Sequence, residues 1–290
     1  MYLNNRTSNK KTYCAWFKTV ELYGVPLLAV NETQCVRLII NELELGRGGQ
    51  CVTIHLSMLR QIINSVEVRK QIEQSTFCIA DGISLVWASQ LLGNPLPARV
   101  CGCDLIYSLT EAAANQSKSI FLLGGNLGMA DKAAEKLQNL YPGLNVVGTY
   151  YPPRGFEADS RQIEAIEESL RVTQPDIVYV ALGFPKQERL IARLRHICPR
   201  AWWMGVGVSF SYVAEEFQRA PVWIQRSGLE TFYRVILEPR RLAWRYLVTN
   251  PPFVVQLLIS SWFKGLGSRK RLATADTLDT SNRKNADDTF

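Results

Sequence analysis

The stretch Phe77-Cys78-Ile79-Ala80-Asp81-Gly82-Ile83 is apolar up to an acid and a glycine, and a helix-like window, Ser84 to Leu92, follows it at once. A short apolar strand that runs straight into a helix is the repeating unit of an α/β sheet. In such sheets ligands and catalytic groups gather in the crevice beyond the carboxyl ends of the strands. Asp81 is therefore the first residue with a chemical prospect. Cys51-Val52-Thr53-Ile54-His55 reads as the preceding strand, which places Thr53, His55 and Asp81 around one opening. A hydroxyl, an imidazole and a carboxylate there can share a small-molecule pocket. Asp81 also has a plainer reading as the N-cap of the helix that follows, since Asp is favoured at that position.

The same rhythm extends along the chain. Further strands are expected at Ser119–Gly124, Val146–Tyr151, Ile177–Gly183 and Trp202–Gly207. Helical windows fall at Thr33–Leu45, Leu56–Gln74, Asp104–Gln116, Gly128–Leu140, Asp159–Val172 and Lys186–Ile197, with Gly and Pro clusters between them. The pattern predicts a Rossmann-like α/β fold, a mostly parallel sheet with flanking helices. Beyond about Phe217 the strands stop. Helical windows at Val222–Leu237 and Arg240–Val248, rich in Arg, Trp and Tyr, lead to Pro251-Pro252 and the apolar Phe253–Phe263. The expected organisation is a flexible N-terminus (1–18), an α/β catalytic domain (19–217), a helical basic and aromatic appendage (218–263) and a polar, disordered tail (264–290).

The formal charge of +7 is unevenly spread: Gln218 to Asn250 holds six arginines against Glu230 and Glu238. Such a stretch implies phosphate, nucleic acid or an anionic membrane surface as partner, and no nucleic-acid-binding motif accompanies it. Seven scattered cysteines and two histidines exclude a zinc ribbon or a disulfide framework. The one close pair, Cys101-x-Cys103, reads as buried thiols, and reduced thiols fit the cytosol. Met1 to Lys18 lacks the apolar core of a signal peptide. Pro251 to Phe263 is short of the roughly 20 residues that span a bilayer, but it can lie on one. Gly124-Gly125-Asn126-Leu127-Gly128 resembles a dinucleotide-binding turn without the full glycine spacing, which argues against an NAD-dependent oxidoreductase. A non-catalytic membrane scaffold would require Asp81 to be only a cap.

Several segments together resemble the WecG/TagA/CpsF family, glycosyltransferase family 26. They are Ala80-Asp81-Gly82-Ile83 with Trp87-Ala88; Leu96-Pro97-Ala98-Arg99-Val100 with Gly102 and Asp104-Leu105; and Phe121-Leu122-Leu123-Gly124-Gly125. Next come Ala181-Leu182-Gly183-Phe184-Pro185-Lys186-Gln187-Glu188, Gly205-Val206-Gly207, Arg219-Ala220-Pro221, Leu229-Glu230, Tyr233-Arg234 and Glu238-Pro239-Arg240-Arg241. The resemblance implies transfer of a sugar from a UDP-sugar to a polyprenyl-diphosphate-linked saccharide at the cytoplasmic face of a bacterial membrane. By match, Asp81 is the base that activates the acceptor hydroxyl, Thr53 contacts substrate, Arg99 lines the pocket and Gln187 lies close to the nucleotide. Arg234 and Arg241, with Arg240 and Arg245 beside them, are implied to reach the diphosphates. Read without the family, Thr53 is a β-branched strand residue, Arg99 a surface ion pair and Gln187 a solvated first-turn residue.

Two positions depart from the family: His55 stands where many members have Asn, and Ser211 where many have an Asp near the nucleotide base. These departures lean the expected product toward exopolysaccharide, with an N-acetylmannosaminyltransferase of teichoic-acid type as the alternative. No Asp-x-Asp triplet occurs before the tail, so the expectation is an inverting, metal-independent displacement with no cofactor. The amides of the Gly124-Gly125-Asn126 turn and the appendage arginines would then hold the leaving diphosphate. The appendage composition suits an anionic headgroup layer. A homo-oligomer is compatible with the sequence.

Overall fold

The computed structural model describes residues 17–221, 223, 224, 230, 233 and 250–267. Among these, eight strands build one sheet: β1 (Thr19–Leu22), β2 (Val25–Leu28), β3 (Gly49–Ile54), β4 (Phe77–Ala80), β5 (Ser119–Gly124), β6 (Asn145–Tyr150), β7 (Ile177–Ala181) and β8 (Trp202–Gly205). Their spatial order is β1-β2-β4-β3-β8-β7-β5-β6. Only β1 and β2 pair antiparallel, and every other neighbouring pair is parallel.

Among the described residues, nine helices connect or follow the strands: α1 (Glu32–Glu44), α2 (Leu56–Asn64), α3 (Val66–Glu73), α4 (Ile83–Leu92), α5 (Gly102–Asn115), α6 (Met129–Leu140), α7 (Ser160–Thr173), α8 (Lys186–Leu194) and α9 (Ser209–Val213). A tenth, α10, is described over 250–267.

Side-chain alternation along the strands divides the core into two layers. Ile177, Tyr179 and Ala181 of β7 join α1, α5, α6 and α9 on one face. Val178 and Val180 join α7 and α8 on the other, where α2, α3, α4 and α10 cover the neighbouring strands. With both faces covered, β4, β5, β7 and β8 are buried at every residue. That is why each of them reads as a nearly continuous apolar run instead of alternating.

The α/β class is as expected, and three details differ. The hairpin β1–β2 was not anticipated: Tyr23 and Gly24, both with positive φ (52° and 78°), close a two-residue turn of the kind that matches strand twist. The single window expected over Leu56–Gln74 is two helices, because Ser65 stays extended and its hydroxyl accepts from the Val68 amide (3.3 Å), starting α3. Strands β3, β7 and β8 stop at Ile54, Ala181 and Gly205, one or two residues short of expectation, where the chain turns into the loops at the sheet edge. The appendage windows Val222–Leu237 and Arg240–Val248 fall mostly or wholly outside the described residues. Phe253–Phe263 is helical, and α10 continues past it to 267.

Candidate active site

The parallel order puts the carboxyl ends of β4, β3, β8, β7 and β5 on one edge of the sheet. Asp81 follows β4 there, its amide donating to the Ile54 carbonyl at the end of β3 (2.9 Å). It is not the cap of α4: Gly82 occupies that position and no side chain caps the helix. The carboxyl is thus free of the structural task that would have explained it. Burial raises its pKa to about 7, partly opposed by a hydrogen bond with the Cys101 thiol and by the charge of Arg99; Asp104 and Glu230 push it further up. A carboxyl poised near neutrality is suited to exchanging a proton with a substrate hydroxyl.

Four charged side chains form an ion-pair cluster near Asp81. Arg219 meets Asp104 at 2.7 Å and Glu230 at 2.9 Å, and Arg99 meets the same two acids at 3.7 and 3.8 Å. Burial works against the charge on Arg219, but the Glu230 hydrogen bond and Asp104 outweigh it, so Arg219 remains a cation. Arg99 is therefore ion-paired, as its plainer reading held, and it also acts electrostatically on Asp81. Glu230, buried at 8% exposure, ties the appendage to the sheet edge.

Thr53 is buried on β3, opposite Ile79 of β4, and its hydroxyl would lie 3.4 Å from a side chain placed at Gly102. The glycine lets the start of α5 approach it. Cys101 precedes α5 as its cap residue, and Cys103 sits two residues on in the first turn, its Sγ accepting from the Ser209 hydroxyl at 3.3 Å. The hydrogen bond from Cys101 is the main influence lowering the pKa of Cys103.

His55 has a structural task. Its Nδ1 accepts from the Met58 amide (3.2 Å) and contacts the Ser57 hydroxyl (3.0 Å), capping α2, while its ring stands edge-on to Phe184.

Gln187 is not a solvated first-turn residue. It is 6% exposed, and its Oε1 accepts from the amides of Gly183 (3.1 Å) and Gly207 (3.2 Å), so one carboxamide ties together the loops after β7 and β8. Its Nε2 donates to Glu188 Oε1 (2.9 Å). Gly205 makes this possible, since a Cβ there would lie 2.2 Å from Gln187 Nε2.

Gly124 and Gly125 lie at the end of β5, but the Gly125 amide already donates to the Ala181 carbonyl (2.7 Å). It is thus engaged within the fold and not held ready for phosphate, and α6 begins only after Gly128. Ser211 is buried within the short helix α9. Arg234, Arg240, Arg241 and Arg245 lie outside the described residues.

Sequence reasoning gave no role to Asp104, Glu188 or Glu230, counted Arg219 only among the appendage arginines and read Cys101 only as a buried thiol. The signal was present for four of them, because each stands inside a family-like segment; Cys101 had only its spacing to Cys103.

The sequence matches the glycosyl transferase WecG/TagA/CpsF family over residues 20–266. The chain belongs to that family and is a glycosyltransferase. A protein of Bacillus spizizenii named N-acetylglucosaminyldiphosphoundecaprenol N-acetyl-beta-D-mannosaminyltransferase is 30% identical over 216 residues, 74% of this chain and 81% of the relative. One of the same name from Bacillus subtilis is 28% identical over 242 residues, 83% of this chain and 91% of the relative.

Proposed function

We propose that this protein transfers N-acetylmannosamine from a UDP-linked donor to a polyprenyl-diphosphate-linked N-acetylglucosamine, by an inverting, metal-independent single displacement. The names of both relatives support this acceptor and this sugar over the exopolysaccharide reading. That reading leaned on His55 and Ser211; the first caps a helix and the second is buried in one, so neither is a strong guide to the donor.

The observation that carries the proposal is Asp81, a carboxyl at the sheet rim with no capping duty and a pKa near 7. It accepts the proton of the acceptor hydroxyl while that oxygen bonds to the anomeric carbon. The bond from that carbon to the diphosphate breaks, and UDP leaves with the electron pair. Arg99 and Arg219 are held at the rim by their ion pairs with Asp104 and Glu230, and the appendage arginines 234, 240, 241 and 245 are the proposed partners of the diphosphates.

No described helix is long and apolar enough to cross a membrane. Helix α10 nevertheless exposes Val255, Ile259, Trp262 and Phe263 at 50–62%, spaced on one stripe, while Phe253 and Leu257 pack into the core. A stripe of this kind supports peripheral docking at the cytoplasmic membrane face, where a lipid-linked acceptor resides.

Purified protein assayed against several UDP-sugars with a lipid-diphosphate-linked N-acetylglucosamine tests the reading. The expected result is turnover with UDP-N-acetylmannosamine, unchanged by a chelator. Turnover with UDP-glucose alone would restore the exopolysaccharide reading, and no transfer from any UDP-sugar would end the proposal.

A further inference from the structure

Glu188 is 3% exposed, sits in the first turn of α8 and has one carboxyl oxygen, Oε2, with no hydrogen-bond partner among the described residues. Its other oxygen accepts from Gln187 Nε2 at 2.9 Å. This contact fixes which way the Gln187 amide faces: with Nε2 turned to Glu188, Oε1 must point at the amides of Gly183 and Gly207, as it does. The loop that Gly183 opens carries Phe184, whose ring meets His55 at 6.5 Å, at the end of the strand whose Ile54 carbonyl holds the Asp81 amide. A connected path therefore runs from Glu188 across the ends of β7, β8 and β3 to the proposed base.

We infer that Glu188 is a positioning residue: held as a neutral carboxylic acid, it locks the Gln187 carboxamide that ties the β7 and β8 loops together at the sheet rim. The inference rests on the proposed transferase reading for its kinetic consequence, not for the protonation state itself.

Burial is the dominant influence on Glu188 and holds its pKa up at about 7, against hydrogen bonds from Gln187 and its own backbone. Among the described residues no charged neighbour contributes. Helix α8 packs against β7, β8 and α3. The two strands carry no charged residue. Along α8, Lys186 pairs with Glu157 and Arg189 with Glu67 of α3, both pairs exposed, while Arg195 beyond its end bonds Gln74 and Gln50. On α3, Arg69 turns to the Tyr23 carbonyl, and Lys70 and Glu73 are exposed. Ionisation would place a charge in a seat almost closed to solvent, a cost that opening the seat around α8 would relieve. Gln187 would then lose its fixed geometry. Activity should therefore require Asp81 ionised and Glu188 protonated.

The test uses the full chain. Carbon-13 NMR of glutamate-labelled protein should show one carboxyl titrating near neutrality that is missing from Glu188→Gln. Titration of that carboxyl between about 4 and 5, like an ordinary glutamate, would overturn the inference, whatever substrate the enzyme uses. In transfer assays the wild-type kcat/KM should form a bell with limbs on both sides of neutrality. Glu188→Gln, which mimics the neutral acid, should keep the acid limb and lose the alkaline one, exceeding wild type by more than about tenfold at about pH 8.5. Glu188→Ala should lose on the order of tenfold at every pH, with rescue in the Gln variant. An unchanged alkaline limb in Glu188→Gln, or full activity in Glu188→Ala, would contradict the role. A wild type inactive on every UDP-sugar would count against the transferase reading, while the NMR titration would still decide the state of Glu188.

Discussion

At the scale of single residues, Asp81 is governed by a balance. Burial favours its neutral form, whereas Cys101 and Arg99 favour the ionised form a base needs. Removing the nearby cation should tilt that balance: Arg99→Met is expected to move the acid limb of kcat/KM upward by about half a pH unit to one unit. A pH–rate profile checks this, and an acid limb that stays in place would uncouple Arg99 from Asp81. How far the site could be read from sequence follows from the range of the contacts involved. Asp81 was legible because the run of apolar residues before it fixes its place at a strand end. Gln187 was legible only through the family-like segment around it, since its burial depends on Gly183 and Gly207 arriving from two loops and on Gly205 at the end of β8. Arg219 pairs with both Glu230 and Asp104, joining two separated points of the chain beyond residue 217 to α5. No local pattern could announce it.

At the scale of elements, the strands were readable because burial on both faces leaves little but apolar side chains in them. The hairpin β1–β2 escaped notice because its strands are four residues each and one face is partly exposed. Ser65 was passed over inside an otherwise helical pattern, although Ser is a favoured cap. Helix α10 raises a different question, since it is apolar toward both the core and solvent. Its inner side is held by Phe253 against Tyr23, by the Tyr23–Ser260 hydrogen bond (2.9 Å) and by Lys264 over the Tyr23 ring. Acidic substitutions on the outer stripe should therefore leave the fold intact. Trp262→Glu with Phe263→Glu is expected to lower binding to anionic liposomes by at least tenfold in a flotation assay, with little change in melting temperature. Unchanged flotation would remove α10 from membrane docking.

At the scale of the whole molecule, one edge of one sheet gathers residues from β3, β4, β5, β7 and β8, and the ion cluster fastens Arg219 and Glu230 beside it. Two carboxyls near that edge, Asp81 and Glu188, have pKa values raised to about 7. Raised carboxyls contribute their stability at pH values below the ordinary carboxylate pKa, and that contribution is lost as pH rises through about 7. The folded protein is thus expected to weaken between about pH 4 and 7 on account of these two groups. The Asp81→Asn variant removes one of them, so it should melt higher than wild type at pH 8 and much as wild type does near pH 4. The same variant gives the most direct test of the central claim, in a side-by-side assay of sugar transfer with wild type at pH 8. Asp81 as general base predicts a rate lower by about 10²–10⁴-fold in Asp81→Asn, with folding intact by thermal melt. Transfer close to the wild-type rate would contradict it.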